Sequence, residues 1–162
     1  MALIGAMTAV GGLLLVVDAG KRPTLDGLRL PGATALMAVS APRSMEAVLE
    51  TRGQIDRARW QAIMVHQSGQ AYATPETLER DHKAMGLRGL GHHFIIGNGN
   101  GMGDGEVFVG YRWLDQLPGA HAVGDHEEAE WANRHAISIC LVGDGTRRPP
   151  TQAQMNRLAD LL

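Results

Sequence analysis

Apolar and polar positions divide the chain into stretches of different period. Residues 1–17, MALIGAMTAVGGLLLVV, carry no charge before Asp18. As a helix they would span ~25 Å against a hydrocarbon core of ~30 Å. The run fits a signal-peptide apolar segment or a marginal membrane anchor, and an ordinary buried apolar segment is the alternative. No Lys or Arg lies near Met1, so the basic flank of an export signal is missing. Residues 18–43 hold no sustained period and are punctuated by Pro23, Pro31 and Pro42, which reads as a linker. From Met45 a polar, helix-compatible lead-in runs into Trp60–Val65, a predicted strand that delivers His66 at its C-terminal end.

Thr74-Pro-Glu-Thr opens a predicted helix: Thr74 suits the N-cap, Pro75 the first helical position, and Glu76 the positive end of the dipole. Leu78, His82 and Met85 recur at helical spacing, and Gly86 fits the stop. Strands are predicted at 92–96, 106–111 and 136–142, the first two joined by the glycine-rich stretch 97–105. Thr151 caps a last helix whose Met155, Leu158, Leu161 and Leu162 mark one face. The predicted core of the sheet is Phe94, Ile96, Ile137, Ile139 and Leu141.

Composition narrows the class. With 162 residues the chain fits one compact domain. Hydrophobic residues at 44% and charged ones at 20% exclude a disordered chain or a polytopic membrane protein. Fifteen Lys and Arg against seventeen Asp and Glu give a net charge of −2 with no basic block, which argues against nucleic-acid binding. The single cysteine, Cys140, excludes an internal disulfide, an all-cysteine zinc site and a CxxC pair. Twenty-one glycines point to a loop-rich α/β domain. Seven histidines are the one compositional pointer to chemistry.

Each candidate motif has a plainer reading beside it. Residues 97–105 resemble a phosphate loop in composition, but a predicted strand follows where a helix is needed, so a hairpin connection fits better. His126-Glu-Glu-Ala-Glu130 lacks the second histidine of HExxH. It reads as a solvated acidic stretch, with a His126, Glu130 and His135 metal set as the alternative. Gly-x-Ser-x-Gly does not occur, and Ser68 sits at a strand end rather than on a nucleophile elbow. Cys140 lies among apolar neighbours and reads as an inert core thiol. His66 stands out because His92, His93 and His121 occur in separate segments around similar strand ends, where α/β domains build their sites.

Five segments form an ordered series: Val65-His66-Gln67-Ser68, Gly89-Leu-Gly-His-His93-Phe94, Gly119-Ala-His121-Ala, Asn133 to Gly143, and Thr151-Gln-Ala-Gln-Met. The series resembles the type-2 N-acetylmuramoyl-L-alanine amidases, zinc hydrolases related to peptidoglycan recognition proteins. The resemblance implies a mixed β-sheet flanked by helices, here preceded by an N-terminal apolar helix. It divides the chain into a signal or anchor at 1–17, a linker and lead-in at 18–57, and an amidase-like domain at 58–162. It implies a zinc-activated water that hydrolyses the amide between N-acetylmuramic acid and L-alanine. His66 matches the first metal ligand, and His121 and Asn133 fall in substrate-groove segments. His92 occupies the catalytic tyrosine position of the Gly-Tyr-His-Phe pattern, where an imidazole can still donate to an oxyanion. The family's Asn-x-x-Ser-Ile-Gly pattern reads here Asn-Arg-His-Ala-Ile-Ser, ending at Ser138.

The resemblance also places the second histidine ligand and a cysteine or aspartate after the last helix, within a further ~30–40 residues, while this chain stops at Leu162. The expectation is therefore an incomplete zinc site and no amidase activity in the chain as it stands, with a non-catalytic peptidoglycan-binding module as the alternative. Peptidoglycan or muropeptides are the expected partners, with membrane association through residues 1–17 and a periplasmic or cell-envelope location.

Overall fold

The computed structural model describes residues 44–124 and 126–162, which fall within the compact unit Pro42–Leu162. The expected signal or anchor at 1–17 and the linker at 18–43 lie outside the described residues. The elements are α1 (Met45–Leu49), β1 (Ala62–Gln67), α2 (Pro75–Ala84), β2 (Phe94–Ile96), β3 (Val107–Val109), α3 (Tyr111–Leu114), α4 (Glu127–His135), β4 (Ala136–Leu141) and α5 (Gln152–Leu161). The four strands form one mixed sheet in the order β1-β4-β2-β3. β4 pairs in parallel with both β1 and β2, and β3 closes the far edge antiparallel to β2.

Local chemistry sets the helix starts. The Thr74 hydroxyl accepts from Thr77 N while the Thr77 hydroxyl accepts from Thr74 N, so two otherwise orphaned donors of α2 are satisfied reciprocally. Thr151 and Gln154 do the same for α5. Gly86, at φ +89°, ends α2 in the left-handed conformation that only glycine adopts cheaply. The glycine-rich stretch 97–105 joins β2 to β3 as a hairpin, with Gly97 N donating to Glu106 O and Gly105 N to Gly97 O.

Alternation along β4 and β2 makes two cores. Ile139, Leu141, Phe94 and Ile96 pack with Val48, Trp113 and Leu158 on the face covered by α1, α3 and α5. Cys140 and Ile95 pack with Leu78, Leu90 and Met102 on the face covered by α2.

The structure differs from the sequence reading in three places. Ile137 is only partly buried, because β1 beside it is an edge strand whose Ile63 and Val65 stay exposed on the same face. Met155 and Leu162 face solvent, and α5 turns Gln154, Leu158 and Leu161 inward instead. Gln154 can occupy a core position because its amide donates to Ile96 O at 3.0 Å and Val142 O at 2.9 Å, and its Oε1 accepts from Thr151 N. The strand predicted at 92–96 begins only at Phe94, and the one at 106–111 is Val107–Val109, with Tyr111 opening α3. The acidic side chains of the stretch at 126–130 are solvent-exposed as read: His126 is the N-cap of α4, its Nδ1 accepting from Ala129 N, and His135 contacts Arg59 O. These two histidines do not form a ligand set. Among the described residues no helix is long and apolar enough to cross a membrane.

The buried position of Ile139 gives a direct check. Ile139→Ala removes side-chain contacts from the centre of the larger core and should cost about 2–5 kcal/mol in chemical denaturation. A loss below about 0.5 kcal/mol would place this strand position at the surface.

Candidate functional site

Four histidines from four separate segments converge over the α2 side of the sheet. His66 is the penultimate residue of β1 and, through the β1–β4 register, lies opposite Cys140. His82 comes from α2, four residues after the buried Leu78 and so on the inward side of that helix. His92 lies in the loop before β2, and His121 in the loop between α3 and α4. His66 Nε2 and His121 Nδ1 are 3.0 Å apart and hydrogen-bonded. The His92 ring centroid lies 5.4 Å from that of His66, 5.3 Å from His82 and 6.4 Å from His121. The sequence points to His66, His92, His93 and His121, of which His93 does not join the cluster because both its nitrogens are engaged by Ser138 N and Leu117 O; His82 stands in the sequence only as a helix position. The i to i+4 spacing from Leu78 is the signal that could have found it.

Each ring is held by a specific partner. His82 Nδ1 accepts from Gly91 N at 2.9 Å, tying α2 to the loop that carries His92. His92 Nδ1 lies 2.7 Å from the Ser138 hydroxyl in β4. Asn133, in the last turn of α4, accepts the backbone N–H groups of His121 and Ala122 on Oδ1 at 2.8 and 3.0 Å and donates to Ala122 O. Its carbonyl also accepts from Gly119 N. The Asn133 amide is thus committed to the loop backbone, and its effect on the histidine cluster runs through the placing of His121. Gly119 adds a steric condition, because a Cβ there would collide with the His121 ring.

His93 neighbours His92 in sequence but serves the core. Its Nδ1 accepts from Ser138 N at 2.9 Å, its Nε2–H donates to Leu117 O at 3.0 Å, and Trp60 packs edge-on against its ring. With both nitrogens engaged, His93 is a structural pin.

The environment keeps these rings neutral. Burial, reinforced by the surrounding imidazoles, lowers His92 to about 3. Burial and the His66 ring lower His121 to about 4, against the opposing pull of the Ala136 and Ala132 carbonyls. His93 falls to about 4 by burial. His66 and His82 are also lowered, chiefly by burial. Cys140, buried in the sheet, is pushed up to about 12, so its thiol stays protonated and away from ligand chemistry. The converging donors are therefore all imidazole. Among the described residues no three His, Cys, Asp or Glu side chains are arranged to hold one metal ion. The described residues do not present the His, His and Cys or Asp set that the family resemblance implies for zinc.

Low histidine pKa values carry a stability consequence with a definite sign. The unfolded chain takes up protons near pH 6.5, whereas folded His92, His93 and His121 resist them down to about 3, 4 and 4. The unfolded state then binds more protons, so stability rises with pH over that window and is lost as pH falls from about 6.5 toward 4. Urea denaturation between pH 7 and pH 4.5 should show the midpoint falling steadily, with each such histidine contributing on the order of 1 kcal/mol per pH unit. A flat profile would mean that these rings are hydrated.

Comparison with known proteins follows the same residues. The family model described as "N-acetylmuramoyl-L-alanine amidase" matches residues 56–162. Among solved structures, the chain is similar to the N-acetylmuramoyl-L-alanine amidase LysC from Clostridium intestinale, with 27% identity and a TM-score of 0.53, covering 64% of this chain and 60% of that one. A second structure, an endolysin amidase LysCS from the same organism, gives 27% identity and 0.53 over 64% and 59%. In fold alone the chain is similar to Drosophila peptidoglycan recognition protein SA, at 20% identity and a TM-score of 0.51 over 70% of this chain and 61% of that one. The chain thus spans about 60% of the length of these relatives. No curated protein matches it. The matched segment carries every converging histidine and the whole sheet, and on that ground the chain belongs to the N-acetylmuramoyl-L-alanine amidase family.

Proposed function

We propose that the histidine cluster engages peptidoglycan at the junction between N-acetylmuramic acid and L-alanine, the amide that the family hydrolyses with zinc. The observation that carries this reading is the meeting of His66, His92 and His121, from three separate segments, inside a domain of this family. In this reading His92 faces the scissile carbonyl as a hydrogen-bond donor, the role a preorganised N–H plays toward a developing oxyanion. His121, placed by Asn133, lines the groove. His66 is the one family metal ligand among the described residues. No three ligand side chains among the described residues are arranged to hold one ion, so zinc-dependent cleavage would draw on ligands beyond them. That arrangement favours a second reading, a module that binds peptidoglycan without cutting it. Among the described residues the nearby hydroxyl and thiol groups are occupied or buried: Ser68 Oγ is spent on Gln70 O and Gly143, Ser138 is buried against His92, and Cys140 is buried.

The two readings separate by titrating zinc calorimetrically into the 162-residue chain and assaying muropeptide binding and cleavage in parallel. The expected result is zinc affinity no better than about micromolar, no cleavage, and muropeptide retention that His121→Ala weakens. Tight stoichiometric zinc with release of the peptide would mean that histidines within the chain complete the metal set. Absence of any muropeptide binding would remove both readings.

We also propose a periplasmic or cell-envelope location, with residues 1–17 acting as export signal or anchor, since the apolar run is the one segment of suitable length and the proposed ligand lies there. Mass spectrometry of the native N-terminus from fractionated cells should find the protein in the envelope fraction. An intact N-terminus in the soluble cytoplasm would overturn this.

A further inference from the structure

Ser138 sits in β4 with no exposed surface, and its hydroxyl has one polar partner among the described residues, His92 Nδ1 at 2.7 Å. Two assignments of the shared hydrogen are possible. If His92 Nδ1–H donates, the Ser138 hydroxyl hydrogen is buried with no acceptor, which a site closed to water penalises. If the hydroxyl donates to Nδ1, both groups are satisfied and the imidazole must carry its own hydrogen on Nε2.

We propose that Ser138 is a positioning residue that fixes His92 in the Nε2–H tautomer, making its free nitrogen a hydrogen-bond donor to the groove rather than an acceptor. The bias is about fivefold or more in tautomer ratio, the weight of one buried, unsatisfied hydroxyl. The same strand position fixes its neighbour by a different atom: Ser138 N donates to His93 Nδ1, which directs the His93 Nε2–H to Leu117 O. One β4 residue thus sets two consecutive histidines, one through its side chain and one through its backbone.

Two departures from the family pattern meet in this contact. His92 stands where Gly-Tyr-His-Phe has tyrosine, and Ser138 where Asn-x-x-Ser-Ile-Gly ends in glycine. A tyrosine donates through its hydroxyl without help, whereas a neutral imidazole is a donor or an acceptor at a given nitrogen depending on its tautomer. A glycine has no group with which to choose. The serine supplies that choice and so restores a donor at the position, the property needed by a group that faces a carbonyl oxygen. This consequence rests on reading the groove as an amide-binding site; the tautomer assignment does not.

Long-range proton–nitrogen NMR on histidine-labelled 162-residue protein at neutral pH, with no substrate or metal, tests the assignment. His92 should show a protonated Nε2 and an unprotonated Nδ1. In Ser138→Ala the Nδ1–H form should appear and the ratio fall by about fivefold or more. Ser138→Thr, which keeps the hydroxyl, should restore the wild-type pattern. His93 is the internal control, because its partner is the backbone N–H that every variant retains. A wild-type His92 carrying its hydrogen on Nδ1, or an unchanged His92 pattern in Ser138→Ala with His93 intact, would overturn the proposal. Wild-type tautomer alone decides the matter if the variants do not fold. Failure of the peptidoglycan reading would leave these spectra unchanged, so the two are separable.

Discussion

The parallel pairing of β4 with strands on both sides is the constraint on which the rest of the domain depends. That pairing buries β4 nearly from end to end and makes its alternating side chains the floor of two different cores. It also sets the register that puts His66 opposite Cys140 and Met64 opposite Ser138. A slip of one residue would send Ser138 and Cys140 to the α1 and α5 face and leave His92 without its partner. The apolar pattern of Ile137, Ile139 and Leu141 resists such a slip, so core packing and the geometry of the groove are held by the same strand.

Over that floor the histidine cluster is assembled by loops that are themselves tied down. Asn133 satisfies the backbone of residues 121 and 122, His82 satisfies the backbone of Gly91, and Ala120 N donates to Gly91 O. The two histidine-bearing loops are therefore linked to each other as well as to α2 and α4. Burial keeps the rings neutral, which suits them to donate and accept hydrogen bonds across the neutral pH range. Membership of the amidase family fits this architecture. Among the described residues no three ligand side chains are arranged to hold one metal ion.

Much of this was legible because it is locally encoded. The Thr74 and Thr151 caps, the glycine stop after α2, the hairpin at 97–105 and the apolar strand at β4 all follow from neighbours within a few residues. The buried face of α5 was misread because hydrophobicity alone ranked Met155 above Gln154. Burial of that glutamine depends on two carbonyls from β2 and β4 that no local pattern reveals. The short helix α3 was absent from the reading because its four residues hold too little periodicity.

By itself the sequence determined the α/β class, the positions of most elements and the identity of three groove histidines, since caps, alternation and ordered motifs act at short range. Tertiary structure alone decided that His93 pins the core instead of joining the other three. That difference lies in what β4 and the 117–122 loop present to each ring. It also decided that Asn133 works through a loop backbone and that His82 and Ser138 belong to the site. Those roles arise from contacts between residues up to 46 positions apart, and only the folded register of β4 brings such partners within hydrogen-bond reach.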